Sequence, residues 1–485
     1  KRDDTYRDFK MLDGPLVQVL EQAYDFIQRN TPSRSRFNSA RLDRVATGLY
    51  PPEALREGLV NAFAHRDYAD FRGGLAIHVY PNRLEIWNSG SFPEGITPET
   101  LAQGHLSILR NPDIAHVLYL RGLMEKLGRG SVMIRSACEK LGLPPPVWHG
   151  HEMVFGFAVA VIAGFLLTAA RNWTGLPTPV GLPLAALFLL WLAGRLGFLI
   201  PGLPAGLVAA IDLAFLPTLA LVLALPILKA KQLHNYPFPI MLLMLALANV
   251  LVHADALGWV SGMAATGLHL AVYAIVAMMT VMGGRVIPSF TDNKLGSRAR
   301  RWKTIERLVP VATLGALVAA LLAPASPVTA AFAALAAGVH GIRLSGWYTR
   351  KLWSVPLLWI LHLGYAWIAL GFALLALSAA GWSAAAFSAL HAFTAGGIGV
   401  LTLGMMARVS LGHTGRMLEP APLMTWAFVA VNLAALGRVA LPLLVPSAWS
   451  AAMAAAGLLW MAAFGLFAAL YLPILLRPRV DGKPG

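Results

Sequence analysis

Nine of the thirteen histidines of this 485-residue chain follow residue 148, in a tract that is apolar almost throughout. An imidazole within lipid is costly, so a histidine in such a tract normally faces a cavity, a polar partner or a metal. Imidazole nitrogen is a good ligand for copper, zinc and iron. These histidines therefore make metal binding the first chemistry to consider.

A second group of polar residues lies in the first 147 residues. Glu57, Asn61 and His65 are spaced four residues apart, which places them on one face of a helix. In a nucleotide site, this spacing lets a carboxylate polarise the attacking water while an amide oxygen helps to hold Mg²⁺. The pattern predicts an ATP and Mg²⁺ site, and the alternative is a helix face that these residues only make soluble. Three glycines that would let backbone amides approach adenine or phosphate closely are Gly90, Gly128 and Gly130.

The segment that carries this second group has the periodicity of an α+β domain. Apolar residues recur with helical spacing in four segments and alternate with strand spacing in two. The predicted helices are 14–29, 52–65, 113–120 and 131–140, and the predicted strands are 75–80 and 84–87.

The histidine-rich tract divides into eleven apolar runs of a length suited to crossing a bilayer. We therefore predict a polytopic all-α membrane protein of about eleven transmembrane helices, residues 148–485, preceded by a soluble α+β domain, residues 1–147. The runs are 151–170, 182–199, 204–228, 237–254, 259–282, 309–324, 326–343, 353–379, 383–406, 422–445 and 449–475.

Composition excludes several classes of protein. With 57% hydrophobic and 13% charged residues, the whole chain cannot be an ordinary soluble protein. The formal net charge of +15 would suit nucleic acid, but cations gather in short segments between apolar runs, as in 294–307, which is typical of cytoplasmic loops. Membrane lipid is thus the expected partner, and nucleic acid is not. The single cysteine, Cys138, excludes an internal disulfide and a cysteine-based zinc site.

Lysine and arginine also predict the orientation. They follow the odd-numbered apolar runs and are scarce after the even-numbered ones, which predicts a multi-pass protein of the bacterial inner membrane with a cytoplasmic C-terminus. With eleven runs, the soluble domain would then lie outside, where ATP is absent. We therefore expect that one span upstream of residue 149 is missing.

The soluble segment resembles a known ATPase. The run Glu57-Gly-Leu-Val-Asn61-Ala-Phe-Ala-His65-Arg-Asp-Tyr, with Asn-Ser-Gly90 and Gly128-Arg-Gly130, resembles the divergent GHKL-type ATPase domain of RecG-like and AlbA-type regulators. The resemblance implies ATP binding by residues 1–147. In that family a DNA-linked domain normally precedes this region, and we expect it to be missing here; the first glycine box reads Asn-Ser-Gly rather than Asp-x-Gly. We therefore expect a truncated domain.

The apolar tract resembles a second family, the NnrS proteins. The blocks that carry the resemblance are Trp-His149-Gly-His151-Glu-Met, Gly-Gly-Arg285-Val-Ile-Pro, Leu-His362-Leu-Gly-Tyr365 and Arg-Val-Ser-Leu-Gly-His413. The resemblance implies an integral membrane protein that contains heme and copper and acts on nitric oxide or in the nitrosative stress response. That family normally has a further span upstream of the first block. We therefore expect a truncated NnrS-like domain, lacking its first span, joined to the ATPase-like domain as a fusion protein.

Depth along the apolar runs arranges the histidines. His151 begins the first run and His253 ends the fourth, so both lie at the same face. His362 and His391 lie on consecutive antiparallel runs near the midplane, where they would pair as heme ligands or as a heme ligand beside a copper ligand. Two histidines, His234 and His269, are predicted to be hydrogen-bonded within the core. The full set of candidate metal ligands is His149, His151, His253, His340, His362, His391 and His413.

Four functions remain open from the sequence. The first is heme and copper chemistry on nitric oxide, and the second is a sensor or carrier that binds these cofactors without turnover. The third is a membrane-anchored ATP-binding regulator, and the fourth is a nonfunctional chimera. Acidic residues in or beside the apolar runs number only three, Glu152, Asp212 and Asp255, which argues against a proton-consuming reductase. No catalytic residue is assigned.

Overall fold

In the computed structural model, the chain forms two compact units, Lys1–His149 and Gly150–Gly485. The structure describes residues 8–31, 33–37, 44–48, 50–70, 74–79, 84–90, 109–124, 130, 133–134, 146–200, 203–260, 262–445 and 449–482.

In its described residues, the first unit combines three helices with two separate antiparallel pairs of strands. Leu20 of the first helix and Leu118 of the third pack with Val60 and Phe63 of the second, so one apolar core joins the helices. The predicted helices and strands are present, except that 131–140 lies almost wholly outside the described residues. The elements are α1 (Leu16–Asn30), β1 (Ser33–Phe37), β2 (Arg44–Gly48), α2 (Pro52–His65), β3 (Ala76–Val79), β4 (Leu84–Trp87) and α3 (Pro112–Leu120).

The second unit is helical in its described residues, and successive helices pack against one another. Each predicted apolar run forms a helix. The helices are α4 (Val147–Thr174), α5 (Leu182–Gly197), α6 (Ala205–Lys229), α7 (Pro237–Ala256), α8 (Met263–Leu295), α9 (Lys303–Leu322), α10 (Pro327–Trp347), α11 (Pro356–Ala379), α12 (Ala385–His413), α13 (Pro422–Leu444) and α14 (Trp449–Leu475).

Ten of the described helices are long and apolar enough to cross a membrane, one fewer than the predicted eleven. The exception is α5, which has 16 residues and therefore rises only about 24 Å, less than the ~30 Å hydrocarbon layer. Pro201 and Pro204 follow it closely, and proline lacks the backbone N–H that an α-helical hydrogen bond needs. The chain is thus a multi-pass membrane protein.

Three helices form the centre of this unit. In their most apolar segments, 72% of the residues of α8, 67% of those of α12 and 61% of those of α11 are buried, against 17% in α14. Because these segments are apolar on all sides, burial rather than amphipathicity distinguishes central from peripheral helices.

Two of the helices contain π-helical segments. In α4 the segment Glu152–Ala158 directly follows His151, and in α12 the segment Ala392–Val400 directly follows His391. π-helical turns are rare and occur frequently at functional sites. Each π-helical segment therefore follows a histidine that is a candidate metal ligand.

Candidate metal centre

Two histidines and an aspartate converge from three helices. His151 of α4, Asp212 of α6 and His253 of α7 are all buried. The Nε2 atom of His253 lies 2.8 Å from Asp212 Oδ2, and the Nε2 atom of His151 lies 3.2 Å from the same oxygen. Within the described part of the chain, this is the group of histidine and acidic side chains whose ligand atoms all lie within 4.8 Å of one another. We call these residues, with Glu152, Arg195 and Asn249, the His151 cluster.

The alternating direction of the helices explains this convergence. His151 lies at the start of α4 and Asp212 in the first third of α6, whereas Arg195 and His253 lie near the ends of α5 and α7. The starts of α4 and α6 and the ends of α5 and α7 therefore lie at the same end of this bundle. The depth argument accordingly placed His151 and His253 at the same face, and their ring centroids are 5.3 Å apart.

Three further polar side chains surround the converging atoms. Glu152 Oε1 accepts hydrogen bonds from Arg195 Nη1 (2.8 Å) and from His151 Nδ1 (3.0 Å). Asn249 Nδ2 donates to Asp212 Oδ2 (2.8 Å), and Asn249 Oδ1 faces His151 Nε2 at 2.9 Å. Arg195 Nη2 also contacts Asp212 Oδ1.

These contacts leave acceptors that face one another. With the Nδ1 proton of His151 donated to Glu152, the lone pair of Nε2 points at the oxygens of Asp212 and Asn249. A carboxylate that orients a histidine in this way is a common outer partner of metal ligands. Two carboxylates against one guanidinium also leave one negative charge in excess when both imidazoles are neutral. Geometry and charge both favour one further positive charge between these atoms, carried by a proton or by a metal ion.

A divalent first-row metal ion fits this donor set. First-row ions bind imidazole nitrogen and carboxylate oxygen at about 2.0–2.2 Å, so tetrahedral ligand atoms lie about 3.3 Å apart. The separations of 2.8 and 3.2 Å need only a small expansion to reach that value. Imidazole with carboxylate suits a divalent ion such as copper(II), and the set lacks the thiolate or thioether that favours copper(I).

Two glycines allow the charged side chains to approach so closely. A Cβ atom on Gly194 would lie 2.9 Å from Asp212 Oδ1 and 3.2 Å from Asp212 Cα. One on Gly156 would lie 3.0 Å from Glu152 Oε2 and 3.2 Å from Arg195 Nη1. Larger residues at these positions would push the carboxylates and the guanidinium apart.

Aromatic rings cover the two imidazoles. The rings of Phe155 and Phe198 lie 4.9 and 5.2 Å from that of His151, and Phe198 also stacks on His253 at 5.9 Å. This apolar cover lowers the local dielectric, which strengthens the attraction between a bound cation and Asp212.

A second histidine cluster has a different character. His340 is fully buried, and its Nε2 and Nδ1 atoms lie 2.9 Å from Thr313 Oγ1 and 2.8 Å from Tyr365 Oη. Arg343 donates to Tyr365 Oη (2.9 Å) and to both carboxylate oxygens of Glu306 (3.0 and 2.5 Å). We call these five residues the His340 cluster. Each ring nitrogen of His340 thus has a hydroxyl partner, which is the arrangement of a structural histidine.

Glu306 corrects the inventory of acidic residues in the spans. The sequence placed it in a loop before residue 309, but α9 begins at Lys303, so Glu306 lies in its first turn. Two glycines of α8 leave room for Arg343 and Tyr365. A Cβ atom on Gly284 would lie 1.9 Å from Arg343 Nη2, and one on Gly283 would lie 3.0 Å from the Tyr365 ring.

One ring nitrogen of His362, Nε2, has no hydrogen-bond partner, as a nitrogen that binds heme iron requires. This histidine is buried in α11, and its Nδ1 atom lies 2.9 Å from Leu358 O. An Nδ1 proton donated to a carbonyl leaves the Nε2 lone pair available to iron. The Trp347 backbone is close to the ring, and neither of the two apolar cavities that adjoin α11 includes His362 in its lining. His362 therefore offers a suitable nitrogen ligand for heme iron. A porphyrin ring would fit beside it only if the neighbouring side chains moved.

The predicted pairing of His362 with His391 does not match the helix register. Leu401 packs at Gly364 of α11, and Phe393 packs at Gly371, so His391 lies about 16 Å along α11 from His362. Both histidines are only six residues from the start of their helices, which enter from opposite faces. Boundaries placed two or three residues too early made both appear deeper.

The remaining histidines lie apart from these clusters. His149 and His413 are exposed, and His391 is half-buried with its Nδ1 atom 2.9 Å from Phe387 O. His269 makes the predicted bond to a carbonyl, that of Ala265 (2.8 Å). His234 is exposed rather than buried in the core, and its backbone carbonyl, not its imidazole, accepts the bond from Arg285.

Part of the predicted nucleotide site comes together in the first unit. Asn61 Nδ2 donates to Glu57 Oε1 (3.0 Å), and a Cβ atom on Gly130 would lie 1.9 Å from that same oxygen. His65 is half-buried at the end of the same helix. Gly90 adopts a φ of +116° and lies against Arg110 and Asp67 rather than against Glu57. Gly128 lies outside the described residues.

Comparison with known proteins identifies the second unit. A profile described as NnrS protein matches residues 116–479, most of the chain. The chain belongs to the NnrS family. Membership of this family links the chain to heme or metal binding in a membrane and to the response to nitric oxide. No curated protein and no solved structure matches it.

The match begins at residue 116, upstream of the predicted start of the NnrS-like region at 148. The boundary at 147/148 therefore stays a prediction. Nothing in these comparisons supports a fused GHKL-type ATPase domain, and the described strands of the first unit form two separate two-stranded sheets.

Sequence reasoning assigned no role to four residues of the His151 cluster, which are Glu152, Arg195, Asp212 and Asn249. Asp212 and Arg195 are single charges within apolar helices, and a charge in such a position is a functional-site signal by itself. Asn249 gave no comparable signal, because an amide in an apolar helix is common. Its position four residues before His253, on the same helix face, is the available indication.

Proposed function

We propose that this chain is a heme- and copper-containing integral membrane protein that acts in nitric oxide metabolism or the nitrosative stress response. Family membership supports the association with nitric oxide. The observation that carries the metal assignment is the convergence of three ligand atoms. Asp212 Oδ2 lies 2.8 Å from His253 Nε2 and 3.2 Å from His151 Nε2.

In this proposal the His151 cluster holds copper. His151 and His253 supply imidazole nitrogen and Asp212 supplies a carboxylate oxygen, while Glu152 fixes the ring of His151. Bound copper would supply one-electron redox chemistry and an open position for a small neutral ligand such as nitric oxide. Phe155 and the other aromatic residues exclude water from that position.

Heme would be held by other histidines. His362 is the strongest candidate, because its buried Nε2 atom has no hydrogen-bond partner. His149, His340, His391 and His413 are weaker candidates, since His340 is fully hydrogen-bonded and the others lie at or near the surface or are already in contact with other groups.

The proposed location is the bacterial inner membrane, with the C-terminus in the cytoplasm. Its support is the distribution of lysine and arginine, which cluster in segments such as 294–307. The end of the bundle that carries the His151 cluster would then face away from the cytoplasm.

Metal analysis and optical spectroscopy of the detergent-purified chain test this function. We expect copper in the wild-type protein and a reduced-minus-oxidised heme spectrum that shifts when nitric oxide is added. If the folded protein contained neither copper nor heme after expression with both supplied, the proposal would be contradicted. His269→Ala is the matched control, because this histidine lies outside the clusters and should not alter the copper content.

A second candidate function rests on the first unit. The contact of Glu57, Asn61 and Gly130 is compatible with ATP and Mg²⁺ binding by a regulator anchored in the membrane. Binding of a fluorescent ATP analogue with Mg²⁺ to the full chain tests this function. Asn61→Ala should weaken the binding, whereas equal binding by both proteins, or none by wild type, would contradict it.

A further inference from the structure

Arg195 makes an incomplete set of contacts within the His151 cluster. Its Nη1 atom donates to Glu152 Oε1 (2.8 Å) and its Nη2 atom contacts Asp212 Oδ1. Its Nε atom is buried and has no hydrogen-bond partner. The guanidinium is therefore divided between two carboxylates, and one of its donors is unsatisfied.

A guanidinium binds a carboxylate best through two parallel N–H groups, and a buried donor without a partner is unfavourable. Glu152 accepts only one bond from Arg195 in the present arrangement. Binding of Glu152 through both Nε and one Nη atom would give the buried Nε a partner, and it would require Nη2 to leave Asp212.

We propose that Arg195 is an internal competitor for the metal ion: its guanidinium neutralises Asp212 only while no cation is bound there, and it moves wholly onto Glu152 when a divalent ion binds. This inference rests on the proposed function, since it concerns the same site. It assigns Arg195 as a residue that sets the affinity for metal, and Glu152 as the carboxylate that receives it.

The surroundings of Arg195 permit this exchange. Gly194 and Gly156 place no Cβ atom against Asp212 and the guanidinium, where one would lie only 2.9–3.2 Å from them. Glu152 can keep its bond to His151 Nδ1 throughout, because a carboxylate has about four lone-pair positions. The ion would then meet two imidazoles and one carboxylate, with the second carboxylate neutralised by arginine.

The exchange makes two predictions of opposite sign. Arg195→Gln removes the competing cation, so copper(II) should bind about tenfold more tightly, a size typical of changes beside the ligands. Glu152→Gln keeps an oxygen for His151 Nδ1 but removes the charge that receives the arginine. Arg195 would then remain on Asp212, and copper(II) should bind about tenfold more weakly.

Copper(II) titration of the metal-stripped full chain in detergent, against a competing chelator, measures both affinities. Arg171→Gln is the control, because Arg171 is an exposed arginine elsewhere on α4, and it should bind as wild type does. Electron paramagnetic resonance should show nitrogen coupling from two imidazoles in every variant that binds.

The outcomes separate this inference from the proposed function. If wild type binds copper(II) through two imidazoles but Arg195→Gln binds equally or more weakly, Arg195 is only a structural bridge and the inference is wrong. If Arg195→Gln does not fold, a Glu152→Gln affinity equal to or above that of wild type is sufficient to overturn it. If wild type binds no copper(II), or binds it as Asp212→Asn does, the proposed metal site itself fails.

Discussion

The His151 cluster and the His340 cluster are built from the same kinds of side chain, but their hydrogen bonds differ. In the His340 cluster, each ring nitrogen faces a hydroxyl, and Arg343 binds both oxygens of Glu306. In the His151 cluster, an imidazole nitrogen and several oxygens face one another, and Arg195 is left with an unpaired donor.

The neighbours of a buried histidine, rather than its burial, therefore indicate whether it is a metal ligand. Hydroxyl groups donate and accept, so they satisfy a neutral imidazole by themselves. Carboxylate and amide oxygens facing an imidazole lone pair do not, and they require a proton or a metal ion. The following changes test this distinction.

Asp212→Asn should abolish copper binding, because it removes the charged ligand while keeping the shape of the side chain. Metal analysis of the purified variant measures the effect. His340→Gln, the matched change in the other cluster, should leave the copper content per folded protein unchanged. Loss of copper in the His340 variant alone would reverse the comparison.

Arg343→Met should lower the free energy of unfolding by about 3–5 kcal/mol, since it leaves Glu306 charged and partly buried without its partner. Denaturant unfolding in detergent, followed by circular dichroism, measures this loss. The copper content of the folded fraction should not change. A variant as stable as wild type would show that the ion pair is not structural.

Tyr365→Phe should lower the free energy of unfolding by about 1–3 kcal/mol, because His340 Nδ1 and Arg343 Nη1 each lose the hydroxyl as a partner. The same unfolding measurement applies. If copper binding fell while stability did not, the His340 cluster would have to be considered part of the metal site.

Asn249→Ala should weaken copper(II) binding about tenfold without abolishing it, because Asn249 orients Asp212 from outside the ligand set. Competition with a chelator measures the shift. His269→Ala lies at the other extreme, with an expected change in unfolding free energy within about 0.5 kcal/mol and no change in affinity. Equal effects of these two substitutions would exclude a role for Asn249.

The helices of the second unit were the part that sequence predicted best. Runs of leucine and alanine bounded by proline, glycine or arginine identify a membrane span wherever they occur, so each of the eleven runs became a helix. The exception in length is α5, which the nearby prolines shorten. The NnrS resemblance was likewise confirmed, because its motifs occur in order along the chain.

The clusters were harder to predict, because they depend on which helix faces meet. Depth arithmetic placed His151 and His253 at the same face, since both lie close to a helix end. It failed for His362 and His391, where an error of a few residues at each boundary, about 1.5 Å per residue, accumulates. The link between Arg343 and Glu306, 37 positions apart in sequence, has no local pattern at all.

The π-helical segment of α4 has a consequence for how this helix tolerates change in length. Deleting one residue from an α-helix turns everything beyond it by about 100°, which would carry His151 away from Asp212 and His253. A π-helical turn, however, already contains one residue more than an α-helical turn. Shortening Glu152–Ala158 by a single residue therefore restores ordinary winding in that segment, so natural variants of this chain that differ in length within α4 should differ there.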